Sequence, residues 1–381
     1  MWAALLDSRN QPILRILQLS SARAFGGGER HVADLANGLL SRGHDVFAAV
    51  RPASPLTQEL RVSAANITTF NLRNALDAFS AGKLARLVRE REIQIVHAHV
   101  ARDYPLAAYA VWRNRGSKLV LTRHVLFPLK RLHSLTFSRA ARVVAVSAAV
   151  QRALIAQHLL PTERIEVIHN GIDVARFGRA TATEITAFRN RWRIAEDALL
   201  IGSVGELTPL KGHGEFLQAA AIVRQRFPKT QFLIAGLDAS HGERNLAELR
   251  AQIKRLGLAD SVRLLDWVDD LACLYQALDI FVSASHTESF GLAIAEAMAS
   301  STPVIATATE GAAEIIENEI SGQLAPVGNV EALATAIGEL VLDGSKRSLF
   351  GDSGRARIEH LFSLERMLSA TEQLYQQVIE E

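Results

Sequence analysis

Short apolar runs alternate along this chain with longer segments in which apolar residues return every three or four positions. Ile13–Leu19 is the first such run, Arg23–Gly28 follows as a glycine loop, and Val32, Leu35, Ala36, Leu39 and Leu40 then fall at helical spacing before Gly43. Asp45–Val50 reads as the second strand. A strand, loop, helix and strand in succession open a parallel sheet, because the crossover to a parallel neighbour is right-handed. The spacing predicts further strands at Ile93–His97, Lys118–Leu121 and Arg142–Val146, and helices over Leu84–Arg91 and Pro105–Arg113.

The alternation breaks at Asn170-Gly171, a turn signal, and a polar, Arg-rich stretch follows before a new strand at Leu199–Val204. The unit then repeats: a glycine-containing loop from Gly205 to Gly212, a helix over Glu215–Arg226 and a strand over Gln231–Ala235. Helices over Leu246–Leu256, Leu271–Ala277 and Leu292–Ala299 alternate with strands over Val262–Leu265, Ile280–Ser283 and Val304–Thr307. The fold class predicted is α/β, with two doubly wound halves over residues 1–177 and 178–362. A closing helix over 363–381 shows one apolar face of Leu364, Met367, Leu368, Thr371, Leu374, Tyr375 and Val378. Periodicity leaves open whether it docks on the second half or returns to the first.

Composition agrees with two cores: the chain has 381 residues, 49% apolar and 22% charged. Cys273 is the only cysteine, so no disulfide framework forms within the chain, and a reducing compartment is expected. The apolar stretch in Met1–Asp7 is too short for a signal-peptide core, and no run of about 18 apolar residues appears, so export and membrane spanning are not expected. Forty-two Lys and Arg against 40 Asp and Glu are too balanced for a general nucleic-acid binder.

The strongest chemical signal lies in Glu288-Ser-Phe-Gly291-Leu-Ala-Ile-Ala-Glu296, between a predicted strand and a predicted helix. In an open parallel sheet, ligands bind outside the carboxyl ends of the strands, and free N–H groups at a helix start suit phosphate or sugar oxygens. A carboxylate can accept two hydroxyl protons, so Glu288 and Glu296 can serve two sets of hydroxyls, as in a sugar and a ribose. On spacing alone they read equally as a helix-cap residue and a solvated helix residue.

Glu288-x7-Glu296 around Phe290-Gly291, followed by Glu296-Ala-Met-Ala and Pro303-Val-Ile-Ala, resembles the donor-site signature of family 4 glycosyltransferases, the retaining GT-B group. Gly26-Gly27 before Glu29-Arg30-His31, Arg42-Gly43-His44-Asp45-Val46, His97-Ala98-His99, Asn170-Gly171-Ile172-Asp173 and Lys211-Gly212 resemble the same family in its order. The resemblance implies a GT-B fold, two Rossmann-like domains facing each other across a cleft, the first binding acceptor and the second the nucleotide-sugar donor. It implies that Glu288 binds donor sugar hydroxyls with the N–H groups of Phe290 and Gly291, and that Glu296 holds the ribose. Lys211 would neutralise the diphosphate, Gly26 and Gly27 would let the backbone approach it, and His124 would lie near the reacting sugar. The family's usual Arg after the glycine at 205 is Glu206 here, which cannot neutralise phosphate. Base recognition would rest on backbone around Trp267-Val268.

No cofactor is expected. His97 and His99 share a strand face, but a third ligand is not near in sequence, and Asp269-Asp270 reads as a helix cap, so no metal is expected. With both glutamates given to donor hydroxyls, retention is expected through front-face displacement rather than a carboxylate nucleophile. A non-catalytic nucleotide-sugar-binding subunit and a GT-B epimerase are the alternatives. Finally, no Asp or Glu occurs from Tyr104 to Thr162, whereas Arg113, Arg115, Lys118, Arg123, Lys130, Arg131, Arg139, Arg142 and Arg152 do. Leu126, Phe127, Leu129, Leu132, Leu135 and Phe137 interleave with several of these cations. Such a patch suits an anionic or lipid-linked acceptor, and a cytoplasmic protein touching the inner face of the membrane, with Arg123, Lys130, Arg131 and Arg139 as candidate contacts.

Overall fold

A computed structural model describes residues 12–71, 77–129, 133–178, 180–266, 268 and 270–381. Lys130, Arg131 and Leu132 of the basic stretch, together with Trp267 and Asp269, lie outside them. The chain divides into two compact units, residues 1–171 with 364–381, and residues 172–363.

The first unit holds seven parallel strands: β1 (Arg15–Ser20), β2 (Asp45–Val50), β3 (Ile67–Thr69), β4 (Ile95–Ala98), β5 (Lys118–Arg123), β6 (Arg142–Ala145) and β7 (Ile165–Val167). Their order is β3-β2-β1-β4-β5-β6-β7. The second unit holds β8 (Leu200–Val204), β9 (Gln231–Ala235), β10 (Val262–Leu265), β11 (Ile280–Ser283), β12 (Val304–Thr307) and β13 (Gln323–Ala325), in the order β10-β9-β8-β11-β12-β13. Both sheets are doubly wound, and in each the strand order reverses beside the first strand of the unit. Helices on both faces bury the strands, which explains their unbroken apolar sequences: Ile16, Leu17 and Leu19 in β1 and Ile280, Phe281 and Val282 in β11 are fully buried. No helix among the described residues is long and apolar enough to cross a membrane.

The closing helix, Leu364–Glu380, packs in the first unit against the helix Gly27–Ser41. Contact is close at Gly38, where an added Cβ would meet the Leu368 side chain at 2.4 Å. Met367, Leu368, Leu374, Tyr375 and Val378 enter the first unit's core with Leu35, Leu39 and Ile95. The Arg42-Gly43-His44 segment provides the polar part of this joint. His44 Nδ1 accepts the Leu14 N–H at 3.2 Å, its Nε2 donates to Glu372 Oε1 at 2.9 Å, and Arg42 forms an ion pair with the same buried carboxylate.

Candidate active site

In the second unit, the loops after β8 and β11 flank the point where strand order reverses, the position at which open α/β sheets bind ligands. The first loop ends at Gly212, which has φ +64 and starts the helix His213–Arg226. A Cβ there would fall 1.9 Å from the Ala284 carbonyl oxygen, so only glycine lets this loop press against the one after β11. His286 N–H donates to the Leu210 carbonyl at 2.8 Å and holds the two loops together. The result is the Lys211–Glu288 pair, with Nζ and Oε1 2.7 Å apart.

Glu288 is neither a helix cap nor a solvated side chain. Its side chain is only 12% exposed, and Oε1 also accepts the Ser285 hydroxyl at 2.8 Å. The Glu288 carbonyl accepts the Gly311 N–H at 3.2 Å, which fixes the backbone of the same loop. Phe290 is buried and packs edge-on to Phe362, and Gly291 begins the helix Leu292–Ala299. One turn into that helix, Glu296 is buried and accepts the Tyr275 hydroxyl at 2.9 Å. Burial first, and the Glu296 carboxylate second, push the Tyr275 hydroxyl's pKa far up, so Tyr275 stays a donor. Ser285, Tyr275 and Gly311 are the supporting residues that the sequence did not single out. Glu206 is exposed.

The first unit places a different set at its own reversal point. Gly26 and Gly27 are exposed at the start of the helix Gly27–Ser41. The Gly26 N–H donates to Glu29 Oε2 at 3.0 Å and is therefore taken up locally. The Arg30 N–H donates to the Gly26 carbonyl at 2.9 Å, so the donors of Gly27 and Gly28 precede the first hydrogen bond of the helix. Ser21 N–H donates to Asp103 Oδ2 at 2.7 Å, and burial raises the Asp103 pKa to about 6. His31, His97, His99 and His124 gather from one helix, β4 and the loops after β4 and β5; burial lowers the pKa of each, that of His31 to about 4. The third imidazole that spacing did not supply for His97 and His99 is thus close in space, and only His99 of that pair joins His31 and His124 in one group.

The acid-free stretch divides between interior and surface. Arg123 is 6% exposed and its guanidinium donates to the Phe127 carbonyl, so it braces a loop instead of adding to a surface patch. Phe137 is fully buried, whereas Phe127 and Leu135 are 60% and 71% exposed. Arg113, Arg115 and Arg139 are exposed, and Arg142 pairs with Glu381.

The family model described as Glycosyl transferases group 1 matches residues 184–357, and that described as Glycosyltransferase Family 4 matches residues 25–176. The chain is 32% identical over 348 residues to a D-inositol 3-phosphate glycosyltransferase of Salinispora tropica, an alignment covering 83% of this chain and 70% of that protein. It is 27% identical over 354 residues to the lipopolysaccharide core biosynthesis glycosyltransferase LpsE of Rhizobium meliloti, over 92% of this chain and 95% of that one. The structure of Anabaena Alr3699/HepE in complex with UDP-glucose superposes with a TM-score of 0.83 at 24% identity, covering 95% of this chain and 99% of that chain.

Proposed function

This chain belongs to glycosyltransferase family 4, the glycosyl transferases group 1, and from that premise we propose that it moves a sugar from a UDP- or GDP-sugar to an anionic acceptor with retention of configuration and without a metal ion. The observation that carries the donor reading is the Lys211–Glu288 pair at the second unit's reversal point. Glu288 accepts hydrogen bonds from donor sugar hydroxyls beside the N–H groups of Phe290 and Gly291. Glu296, more than a turn deeper, accepts those of the ribose. Lys211 donates to the diphosphate and gains strength as charge develops on the leaving group.

In this scheme the bond from the anomeric carbon to the phosphate oxygen breaks while the acceptor oxygen bonds to the same face. The acceptor proton passes to the departing phosphate oxygen. Glu288 and Glu296 bind hydroxyls throughout, so neither attacks the sugar. Glu206 is turned to solvent and takes no part in neutralising phosphate. The UDP-glucose in the Anabaena structure supports a uridine donor.

For the acceptor, one relative is named for a phosphorylated polyol and another for lipopolysaccharide core biosynthesis, and both names favour an anionic or lipid-linked molecule. Exposed Phe127 and Leu135 in a stretch with Arg113, Arg115 and Arg139 suit that acceptor and a contact with the inner face of the cytoplasmic membrane. Arg123, being buried, is left out of that contact. Sedimentation with anionic and neutral liposomes at low and high salt tests the membrane contact, and Lys130→Glu with Arg131→Glu should reduce it while sparing donor binding. The donor reading is tested by thermal shift against a panel of UDP- and GDP-sugars. Stability should rise with the logarithm of ligand concentration for one nucleotide series, and the rise should shrink in Glu288→Gln and Glu296→Gln. A shift unchanged in both variants would place the nucleotide elsewhere.

A further inference from the structure

His31, His99 and His124 reach one another from three separate elements of the first unit, and their ligand-capable nitrogens all lie within 4.8 Å. His99 Nδ1 and His124 Nε2 are 3.4 Å apart. Two nitrogens bound at about 2.0–2.1 Å to one tetrahedral ion stand about 3.4 Å apart.

The surrounding hydrogen bonds fix which nitrogen of His99 faces the group. Gln18 Nε2 donates to the Tyr375 hydroxyl at 3.4 Å, which leaves Gln18 Oε1 to accept from His99 Nε2 at 2.7 Å. His99 therefore carries its proton on Nε2, and Nδ1 presents a lone pair toward His124. This is the carbonyl-to-imidazole support that metal-binding histidines use. Tyr375 in turn meets His97 Nδ1 at 2.5 Å, and His97 Nε2 meets Thr122 Oγ1 at 2.6 Å, so His97 is fully occupied and outside the group.

A second observation is independent of that network. His31 is 4% exposed, and the Asn170 side chain is the one polar group beside it that favours the charged ring. An imidazole has two ring nitrogens, and neither makes a hydrogen bond of full geometry here, so at least one is open to a ligand shared with the two facing rings. His124 is half-buried and opens the group to solvent.

We propose that His31, His99 and His124 form a binding site for a borderline-soft divalent ion of the zinc class, with water or an anion in the fourth position. Three neutral imidazoles suit Zn²⁺ or Co²⁺ and offer nothing to Mg²⁺ or Ca²⁺, which need oxygen ligands. The ion has no assigned part in neutralising the diphosphate.

The test is Co²⁺ titration of the full chain after chelator treatment, followed by visible absorption, with Zn²⁺ as competitor. Intense four-coordinate bands at one ion per chain, displaced by Zn²⁺, are expected. His31→Leu and His99→Gln should each weaken Co²⁺ binding at least about tenfold, and Gln18→Leu about tenfold through the lost support. His241→Gln, at an exposed histidine, should leave binding unchanged. The ion-free melting temperature of His31→Leu, measured beside that of the wild type, separates lost binding from lost fold. If His99→Gln fails to fold, His124→Gln takes its place. No bands at excess Co²⁺, or bands of equal affinity in His31→Leu and the wild type, would overturn the site. Nucleotide binding is read separately, so either outcome leaves the donor assignment untouched.

Discussion

The two sheets share a strand order and a reversal point, yet the loops at those points carry different chemistry. In the second unit the point holds an ion pair, Lys211 with Glu288, backed by the Ser285 hydroxyl, and the buried Glu296, which accepts from Tyr275. In the first it holds four imidazoles that burial keeps neutral and a carboxyl, Asp103, whose pKa burial raises to about 6. The shared frame says where ligands go; the loop residues say which ones. Charge in the second unit matches a diphosphate and polyhydroxy groups. Neutral nitrogen donors in the first match an acceptor or a soft ion.

The units also differ in how they close. The first depends on a helix from the end of the chain, joined through Arg42, His44 and Glu372, and the sharpest way to break the comparison is there. Arg42→Ala removes the guanidinium from the buried Glu372 carboxylate and leaves it the His44 contact, and a loss of about 3 kcal/mol in unfolding free energy is expected from denaturant titration. The second unit's donor affinity, measured at low denaturant, should be unchanged.

Next in size is Lys211→Ala. A leaving-group cation acts mainly in the transition state, so turnover should fall about a hundredfold. Steady-state kinetics that show only a raised KM would make Lys211 a uniform binder of ground and transition states. Glu288→Gln keeps shape and removes charge; turnover should fall about tenfold, in line with the roughly 1.5–3 kcal/mol of a hydrogen bond to a charged group.

Stability should also depend on pH through a buried histidine in each unit, and His213 reads that of the second. Burial holds His213 in the second unit down at about 4, against about 6.5 when unfolded. The unfolded chain therefore takes up the proton first as pH falls. Its contribution to stability is complete above about pH 6.5 and is lost on the way down to about pH 4, by at most about 3 kcal/mol. Melting curves of His213→Gln should show a shallower fall between those limits than the wild type. The smallest effect expected is that of chelation: transfer should persist in excess EDTA. Loss of transfer restored by Mn²⁺ or Mg²⁺ would mean that Lys211 does not suffice for the diphosphate.

Much of the second unit is legible in the sequence. The strands at Gln231–Ala235, Val262–Leu265, Ile280–Ser283 and Val304–Thr307 have the bounds the sequence predicts; the inner ones are nearly unbroken apolar runs because both faces are covered, whereas Val262–Leu265, at the sheet edge, tolerates the half-buried Arg263. β3, β7 and β13 escaped notice, since each has three residues and a run of that length carries no period. The helix over Leu84–Arg91 in fact starts at Ala78, where Asp77 caps it through the Ser80 N–H at 3.0 Å. Lys211 and Glu288 were legible as motif members, but their contact spans 77 positions and depends on Gly212. The histidine group was less legible still. Residues 31, 99 and 124 share no local pattern, and Tyr375 reaches His97 from 278 positions away. Alternating cations and apolar residues likewise gave no sign that Arg123 and Phe137 face inward.

The central claim is that the Lys211–Glu288 site turns over a nucleotide-sugar. Nucleoside diphosphate release from a panel of UDP- and GDP-sugars, with wild type and Lys211→Ala side by side, tests it most directly. The account predicts release from one nucleotide series by the wild type, faster with acceptor present, and a loss of about a hundredfold in the variant. Equal release by both proteins, or stable binding of donor without release under any acceptor condition, would contradict it.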